Sequence, residues 1–275
     1  MKTLVIIYAN NRSPHLKQND LDAFTKKGFL VTTLTAKQFL KKKPEADILW
    51  PYFRDIPSKK EDVLAHIENS AHYQTTHIIN DYRTYGDVRP ADKAASYELV
   101  RNHNVQVPRT FRVQSIGDVW RYAHTLSFPF VLKAYPSGQG KDVHLCKNIF
   151  HTYYLYFKKL LKKKSVLVQE AIPTSMGTDL RVTFIKAKPV LAVQRTSQKD
   201  FRANAAYGAS CNLYTLTAKQ LATVKKIGEM SCFDIVGVDF LFAKDGDLMF
   251  NEFNNAPGMS PFSEEIVNAL HAVLK

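Results

Sequence analysis

A chain of 275 residues is longer than one minimal domain and suits two or three small ones around a cleft. With 45% hydrophobic and 23% charged residues it has ordinary globular composition, which excludes a disordered or low-complexity chain. Thirty-eight Lys and Arg against 25 Asp and Glu leave +13, an excess that favours anionic partners: nucleotides, nucleic acid, acidic peptides or membrane surfaces.

The first part alternates strands and helices. Leu4 to Tyr8 reads as a buried strand, too short for a signal sequence or a membrane span. A helix over Gln18 to Lys27 ends at Gly28. A strand follows over Phe29 to Leu34, then a short helix over Ala36 to Lys42. A third strand covers Ile48 to Phe53, a helix Lys59 to Asn69, and a fourth strand His77 to Asn80. This pattern predicts a small doubly wound α/β layer over 1–88.

Arg89-Pro90 breaks the pattern, and Ala91 to Asn102 reads as a helix with Asp92 near its positive end. Val105 to Phe111 leads into a second unit, expected over 89–165. Its strand Phe130 to Lys133 runs into Ser137, Gly138, Gln139 and Gly140. Phe150 to Lys163 is an amphipathic basic helix, and Ser165 to Glu170 a strand. The third unit, 166–275, is rich in strands: Leu180 to Ile185, Val190 to Thr196, Val236 to Phe242 and Leu248 to Phe253, with a helix over Ala218 to Cys232. The fold class is therefore α/β, with α+β character in the C-terminal half.

The lysine runs at 41–43 and 158–164 read first as solvated helix faces, ahead of a nucleic-acid patch. The chain has no aromatic-plus-basic nucleic-acid motif. The three cysteines, Cys146, Cys211 and Cys232, are scattered and form no C-x-x-C, which fits a cytoplasmic protein. Neither zinc chemistry nor a serine nucleophile has support: there is no H-E-x-x-H and no G-x-S-x-G.

The most informative stretch is Val236 to Asn255. Asp245-Gly246 between apolar runs signals a two-residue hairpin loop. That loop pairs Lys244 with Asp247, Leu241 with Phe250 and Asp239 with Glu252, and puts Asn254 on the face of the two carboxylates. Val238, Phe240, Phe242, Met249 and Phe253 take the opposite, core face. Facing carboxylates repel, and a face of Asp, Glu and Asn oxygens suits a hard cation such as Mg²⁺. A solvent-exposed polar hairpin face is the alternative. Lys133 and the small residues after it form a potential anion nest, although not a Walker A. Arg202 and Asn204 alternate in an extended segment, and Arg181 and Arg195 lie on adjacent strands. Together they suggest anion-binding walls around a metal.

In this order, Lys133 with Ser137-Gly-Gln-Gly, Val168-Gln-Glu-Ala-Ile, Gly177-Thr-Asp-Leu-Arg, Arg195, Phe201-Arg-Ala-Asn, Gly237-Val-Asp-Phe and Asn251-Glu-Phe-Asn-Asn-Ala-Pro-Gly resemble the RimK-like branch of the ATP-grasp superfamily. The resemblance covers roughly 89–263. It implies an ATP-grasp fold behind a pre-ATP-grasp domain, with ATP and Mg²⁺ as cofactors and Mn²⁺ as a substitute. Lys93 and Lys133 would hold phosphates. Gln169, Glu170, Ala171 and Ile172 would form the hinge beside adenine, with Glu170 and Asp179 on the nucleoside. Arg202 and Asn204 would meet the phosphates or the reacting group, and Arg195 the substrate carboxylate or the phosphoryl group. Asp239, Glu252 and Asn254 would bind the metal. The chain departs from the family at Asp142, where a glycine is usual, and Lys141 or a turn would have to divert that carboxylate.

The implied function is an ADP-forming carboxylate–amine ligase working through an acyl-phosphate, with glutamate addition to a peptide or small molecule as the family's commonest theme. The acyl-phosphate must be kept from water, so a mobile lid over about 113–164 is expected. The expected partners are ATP, a carboxylate donor and an amine acceptor, at least one of them anionic. Neither a membrane nor nucleic acid is expected, and a homo-oligomer remains open. The alternatives are an ATP-binding regulatory protein of this fold without ligase activity, and an ATP-grasp kinase.

Overall fold

The computed structural model describes residues 1–10, 16–53, 58–81, 92–135, 140–204, 208–231 and 233–274. The break expected at Arg89-Pro90, the loop residues Ser137, Gly138 and Gln139, and Cys232 lie outside these residues.

The first layer is a parallel sheet, in the order β2-β1-β3-β4, of β1 (Lys2–Tyr8), β2 (Phe29–Thr35), β3 (Ile48–Pro51) and β4 (His77–Ile78). From Leu4 to Ile7 its strand β1 is apolar at every position because successive side chains alternate between two buried faces. Leu4 and Ile6 enter one core with Phe24 of α1 (Gln18–Lys26). Val5 and Ile7 enter another with Phe39 of α2 (Ala36–Lys42) and Val63 of α3 (Ser58–Asn69).

The second layer is an antiparallel sheet, in the order β5-β8-β6-β7, of β5 (Thr110–Val113), β6 (Phe130–Tyr135), β7 (Val143–Cys146) and β8 (Ser165–Glu170). Two helices, α5 (Ile116–Leu126) and α6 (Ile149–Leu160), cover one face. Phe130, Leu132 and Ala134 point into that core, and the alternate residues Val131 and Lys133 point into the cleft. The central sheet runs to Glu170, past the boundary expected at 165, because β8 pairs with both β5 and β6. The sequence reading missed α5. Its start is nonetheless written in a capping box, in which the Asp118 amide donates to Ser115 Oγ and the Ser115 amide to Asp118 Oδ2.

The third layer is a five-stranded antiparallel sheet, in the order β11-β10-β9-β12-β13. Its strands are β9 (Thr178–Ile185), β10 (Lys188–Thr196), β11 (Ser210–Leu213), β12 (Ile235–Phe242) and β13 (Leu248–Asn254). Two helices pack on it, α4 (Lys93–Asn102) and α7 (Ala218–Glu229). They contribute Tyr97, Val100, Val224 and Ile227 to a core with Phe184, Phe240 and Phe250. A Cβ on Gly228 of α7 would lie 2.2 Å from the Ala187 carbonyl oxygen, so only glycine admits this close approach. The last helix, α8 (Ser263–Val273), returns to the first layer and buries Ile266, Val267 and Leu270 beside Leu4 and Phe24. Cys146 and Cys211 are free thiols. Among the described residues, no helix is long and apolar enough to cross a membrane.

Candidate active site

The β12–β13 hairpin sets the site. The sequence pattern predicts a two-residue loop, and the structure differs. The Ala243 amide donates to Asp247 O at 2.8 Å and the Gly246 amide to Ala243 O at 3.0 Å, with Gly246 at φ +80°. The loop thus holds three residues, 244–246, of which the last is a left-handed glycine. Near the turn every pair is one residue off the prediction: Leu241 faces Met249, and Phe240 faces Phe250. A bulge between Asp239 and Phe240 cancels the offset, so Asp239 does face Glu252. The shift also changes the core, where Leu248 and Phe250 are buried in place of Met249. The residue taken up by the bulge is Asn251, which the pairing skips.

That bulge aims Asn251 into the cleft between the second and third layers. Lys133 Nζ donates to Asn251 Oδ1 at 2.7 Å and to Tyr97 Oη at 3.0 Å. The Tyr97 hydroxyl donates to Asn251 Oδ1 at 3.3 Å. Tyr97 and Lys93 lie four residues apart on α4 and share a face. Asp92 caps that helix, accepting from the amides of Ala94 and Ala95, and so fixes where Lys93 emerges. Neither Tyr97 nor Asn251 was among the expected site residues. The signal for Asn251 was its place in the Asn-Glu-Phe-Asn run, and for Tyr97 its spacing from Lys93.

The charges pair off in a definite way. Lys93 bonds Glu252. Arg181 forks onto Asp239, with Nε to Oδ1 at 2.7 Å and Nη2 to Oδ2 at 2.8 Å. Arg195 forks onto Asp179 at 2.6 and 2.5 Å, and its Nη2 also lies 3.0 Å from Asp239 Oδ2. Asn254 Nδ2 approaches Asp239 Oδ2 at 3.4 Å. Asp239, Glu252 and Asn254 therefore converge as expected, on one face and in the cleft. Arg195, expected to meet a substrate carboxylate or the phosphoryl group, has its guanidinium on Asp179 and Asp239, and Asp179 is turned to Arg195.

Lys133 is the surplus cation of this cluster, because its partners Asn251 and Tyr97 are neutral. Burial, with Lys93 nearby, pushes its pKa down from 10.5 to about 7, against the pull of Glu252 and Asp239. The sign of the linkage follows. Between about 7 and 10.5 the unfolded chain binds the proton and the folded chain does not, so stability of the ligand-free chain rises with pH across that window. An anion at Lys133 favours the charged form, so its binding takes up a proton above pH 7. For the nucleotide that the sequence resemblance implies, affinity is expected to fall as pH rises above 7, by up to about tenfold per unit. Isothermal titration in buffers of different ionisation enthalpy checks both the proton uptake and the slope.

The described segment that follows Gln139 is held at two points, Asp142 and Gly140. Asp142, the departure from the family pattern, is turned away from the cleft by Lys159 Nζ at 2.6 Å and Lys164 Nζ at 2.5 Å. The diversion expected of Lys141 or a turn comes from Lys159, in the last turn of α6, and Lys164, just before β8. On the other side Arg202 Nη1 donates to the Gly140 carbonyl at 2.7 Å, while its Nε and Nη2 hold Asp200 at 2.9 and 2.6 Å. Asp142→Asn is expected to loosen the segment at 140–142, raising KM for the ATP that the sequence resemblance implies several-fold with a smaller change in kcat. Steady-state kinetics at varied ATP checks this.

The far wall holds the expected nucleoside residues. Gln169, Glu170 and Ile172 line the cleft, whereas Ala171 is absent from its lining. Gln169 Nε2 donates to Thr110 Oγ1 at 2.9 Å. The Glu170 carboxylate accepts from the Arg109 amide at 2.8 Å and its Nε at 2.7 Å. Arg202, Asn204 and Gly140 also line this cleft. A second cavity shares Arg195, Asn204, Asp239, Glu252 and Asn254 with it and extends towards Lys17, Met259 and Phe262.

The pattern of the RimK-like ATP-grasp domain matches residues 90–274. A probable alpha-L-glutamate ligase of Aeromonas salmonicida (strain A449) is 28% identical over 173 residues, which cover 62% of this chain and 58% of that protein. The chain thus spans a little over half the length of that relative. Among solved structures, a D-alanine–D-alanine ligase from Bacillus anthracis complexed with ATP superposes with a TM-score of 0.72 at 15% identity, covering 100% of this chain and 97% of that one. A RimK domain ATP-grasp protein from Sphaerobacter thermophilus superposes with a TM-score of 0.70 at 16% identity, covering 98% and 95%. With the three layers, the cleft between them and two thirds of its length matched by one domain pattern, this chain belongs to the RimK-like ATP-grasp family.

Proposed function

We propose that the chain is an ATP-dependent, Mg²⁺-requiring ligase that joins a carboxylate to an amine and releases ADP and phosphate. The observation that carries this reading is the surplus cation on the cleft floor. Lys133 is buried with neutral partners, directly beside two facing carboxylates. A phosphate chain supplies the negative charge that Lys133 lacks, and Asp239, Glu252 and Asn254 offer oxygens to a hard cation. These donors fit Mg²⁺, which takes one or two carboxylates and completes its shell with water and phosphate. When bound, the ion neutralises charge on the phosphates.

The side chains of the chain itself do the rest. Lys133 and Lys93 hold the phosphates, and Arg202 holds the Gly140 carbonyl at the edge of the cleft. Gln169, Glu170 and Ile172 flank the adenine, with Glu170 held rigid by Arg109 and with Asp179 on the nucleoside side. Arg195 and Arg181 orient Asp179 and Asp239, so they act through those carboxylates. A carboxylate donor is activated as an acyl-phosphate, its carbonyl oxygen facing the positive field of the cleft. The amine attacks that carbonyl from the second cavity and phosphate leaves. The two cavities meet at Asn204 and Glu252, where the reacting groups would be brought together and water kept out. The relatives named probable alpha-L-glutamate ligase support glutamate as the added amino acid.

The test supplies ATP, Mg²⁺, pooled amino acids and a peptide or extract fraction, then follows ADP and the product mass. ADP is expected only when both a carboxylate and an amine are present, with phosphate free in solution. Phosphate retained on the product would identify a kinase. Nucleotide binding without turnover would identify a regulatory protein.

A further inference from the structure

Helix α6 is apolar on two sides. Its inner side buries Leu155 and Tyr156 in the core of the second layer. Its outer side exposes Phe150, Tyr154, Phe157 and Leu161, spaced i, i+4, i+7 and i+11, which align as one stripe. Phe150 is 81% and Leu161 86% exposed, far more than a ragged core edge leaves bare. About a quarter-turn round the helix lie His151 and Lys158, with Lys162 just past the C-cap, all exposed. Lys158 Nζ stands 5.5 Å from the centre of the Tyr154 ring, so the cationic flank and the apolar stripe are contiguous. The other flank carries Leu160 and Tyr153 in place of charge. From Val143 to Gln169 the sequence contains no Asp or Glu. The only lysines of this stretch that meet a carboxylate, among the described residues, are Lys159 and Lys164, both on Asp142.

We infer that the outer face of α6 docks an acidic amphipathic helix of a partner protein. The stripe has the 3–4 spacing by which one helix packs its ridge against another. The lysines on one flank fix which side of the partner carries its carboxylates. A lipid surface places no such demand, and lysines that snorkel from a membrane flank the apolar stripe on both sides. A second copy of this chain is disfavoured, because pairing two such faces would bring their lysines together. Docking here leaves the cleft open, since α6 covers the sheet face opposite Lys133.

The test uses the full chain and a fluorescein-labelled helical peptide. The peptide has leucines at i, i+4, i+7 and i+11 and glutamates on the flanking positions. Saturable binding by fluorescence anisotropy is expected. It should weaken about tenfold or more in the double variants F150S/L161S and K158E/K162E, and in high salt. All four side chains are exposed, so the thermal midpoint and ADP formation should match wild type. The same peptide with lysine for glutamate should not bind. The inference is overturned if the acidic peptide does not saturate, if the lysine peptide binds equally, or if both double variants bind as wild type. Binding only to phosphatidylglycerol vesicles or single-stranded RNA would assign the face to lipid or nucleic acid and overturn it as well.

Discussion

Glu252→Gln is expected to reduce ADP and product formation on the order of 10³-fold while leaving the fold intact. The substitution keeps the shape of the side chain and removes its charge. In the cleft that charge does two things. It pairs with Lys93, and it faces Asp239 across the hairpin as the second carboxylate of the proposed cation site. Burial works against the Glu252 carboxylate, yet Lys93 holds its pKa below the ordinary range, so it is charged at neutral pH. With glutamine there the proposed site keeps one carboxylate, and Lys93 loses its ionic partner. A coupled ADP assay measures the loss, and circular dichroism verifies the fold. Turnover at the wild-type rate would remove Glu252 from the reaction.

Asp239→Asn is expected to destabilise the chain by about 3–5 kcal/mol as well as inactivate it. Its carboxylate is almost wholly buried and touches two guanidinium groups. Taking the charge away leaves Arg181 without its forked carboxylate and Arg195 with Asp179 alone as its ion-pair partner, while Glu252 stays paired with Lys93. Burial opposes the Asp239 charge, but Arg181 and Arg195 outweigh it and hold its pKa well below 3.8. The folded-state pKa is lowered, so the stability Asp239 contributes is present above 3.8 and is lost as pH falls below it. The expected pattern in urea denaturation is therefore a large deficit at pH 7 that narrows towards pH 3. A variant as stable as wild type at pH 7 would show that the two arginines find other partners.

The sequence by itself determined the first layer almost element by element. A strand such as Leu4 to Ile7 is apolar at every position because both faces are buried, and that signal is local. It also determined which residues meet in the hairpin. Asp239, Glu252 and Asn254 were placed on one face by a period of two, which survives any loop provided the register is kept.

What the sequence could not determine was how that register was kept. A three-residue loop shifted the pairing by one, and a bulge shifted it back. Each step depends on cross-strand hydrogen bonds, which leave no trace in a single strand's pattern. The same holds for Asn251, whose aim at Lys133 is a product of the bulge.

Tertiary structure alone decided the charge partners. Arg195 and Asp179 are 16 residues apart, Arg181 and Asp239 are 58, and Lys93 and Glu252 are 159. Their pairing rests on sheet order and helix docking, in which β9 lies between β10 and β12 and α4 packs against β13. Coulomb attraction in a buried cleft then selects among the charges the fold has brought within reach, and that choice leaves Lys133 as the odd cation.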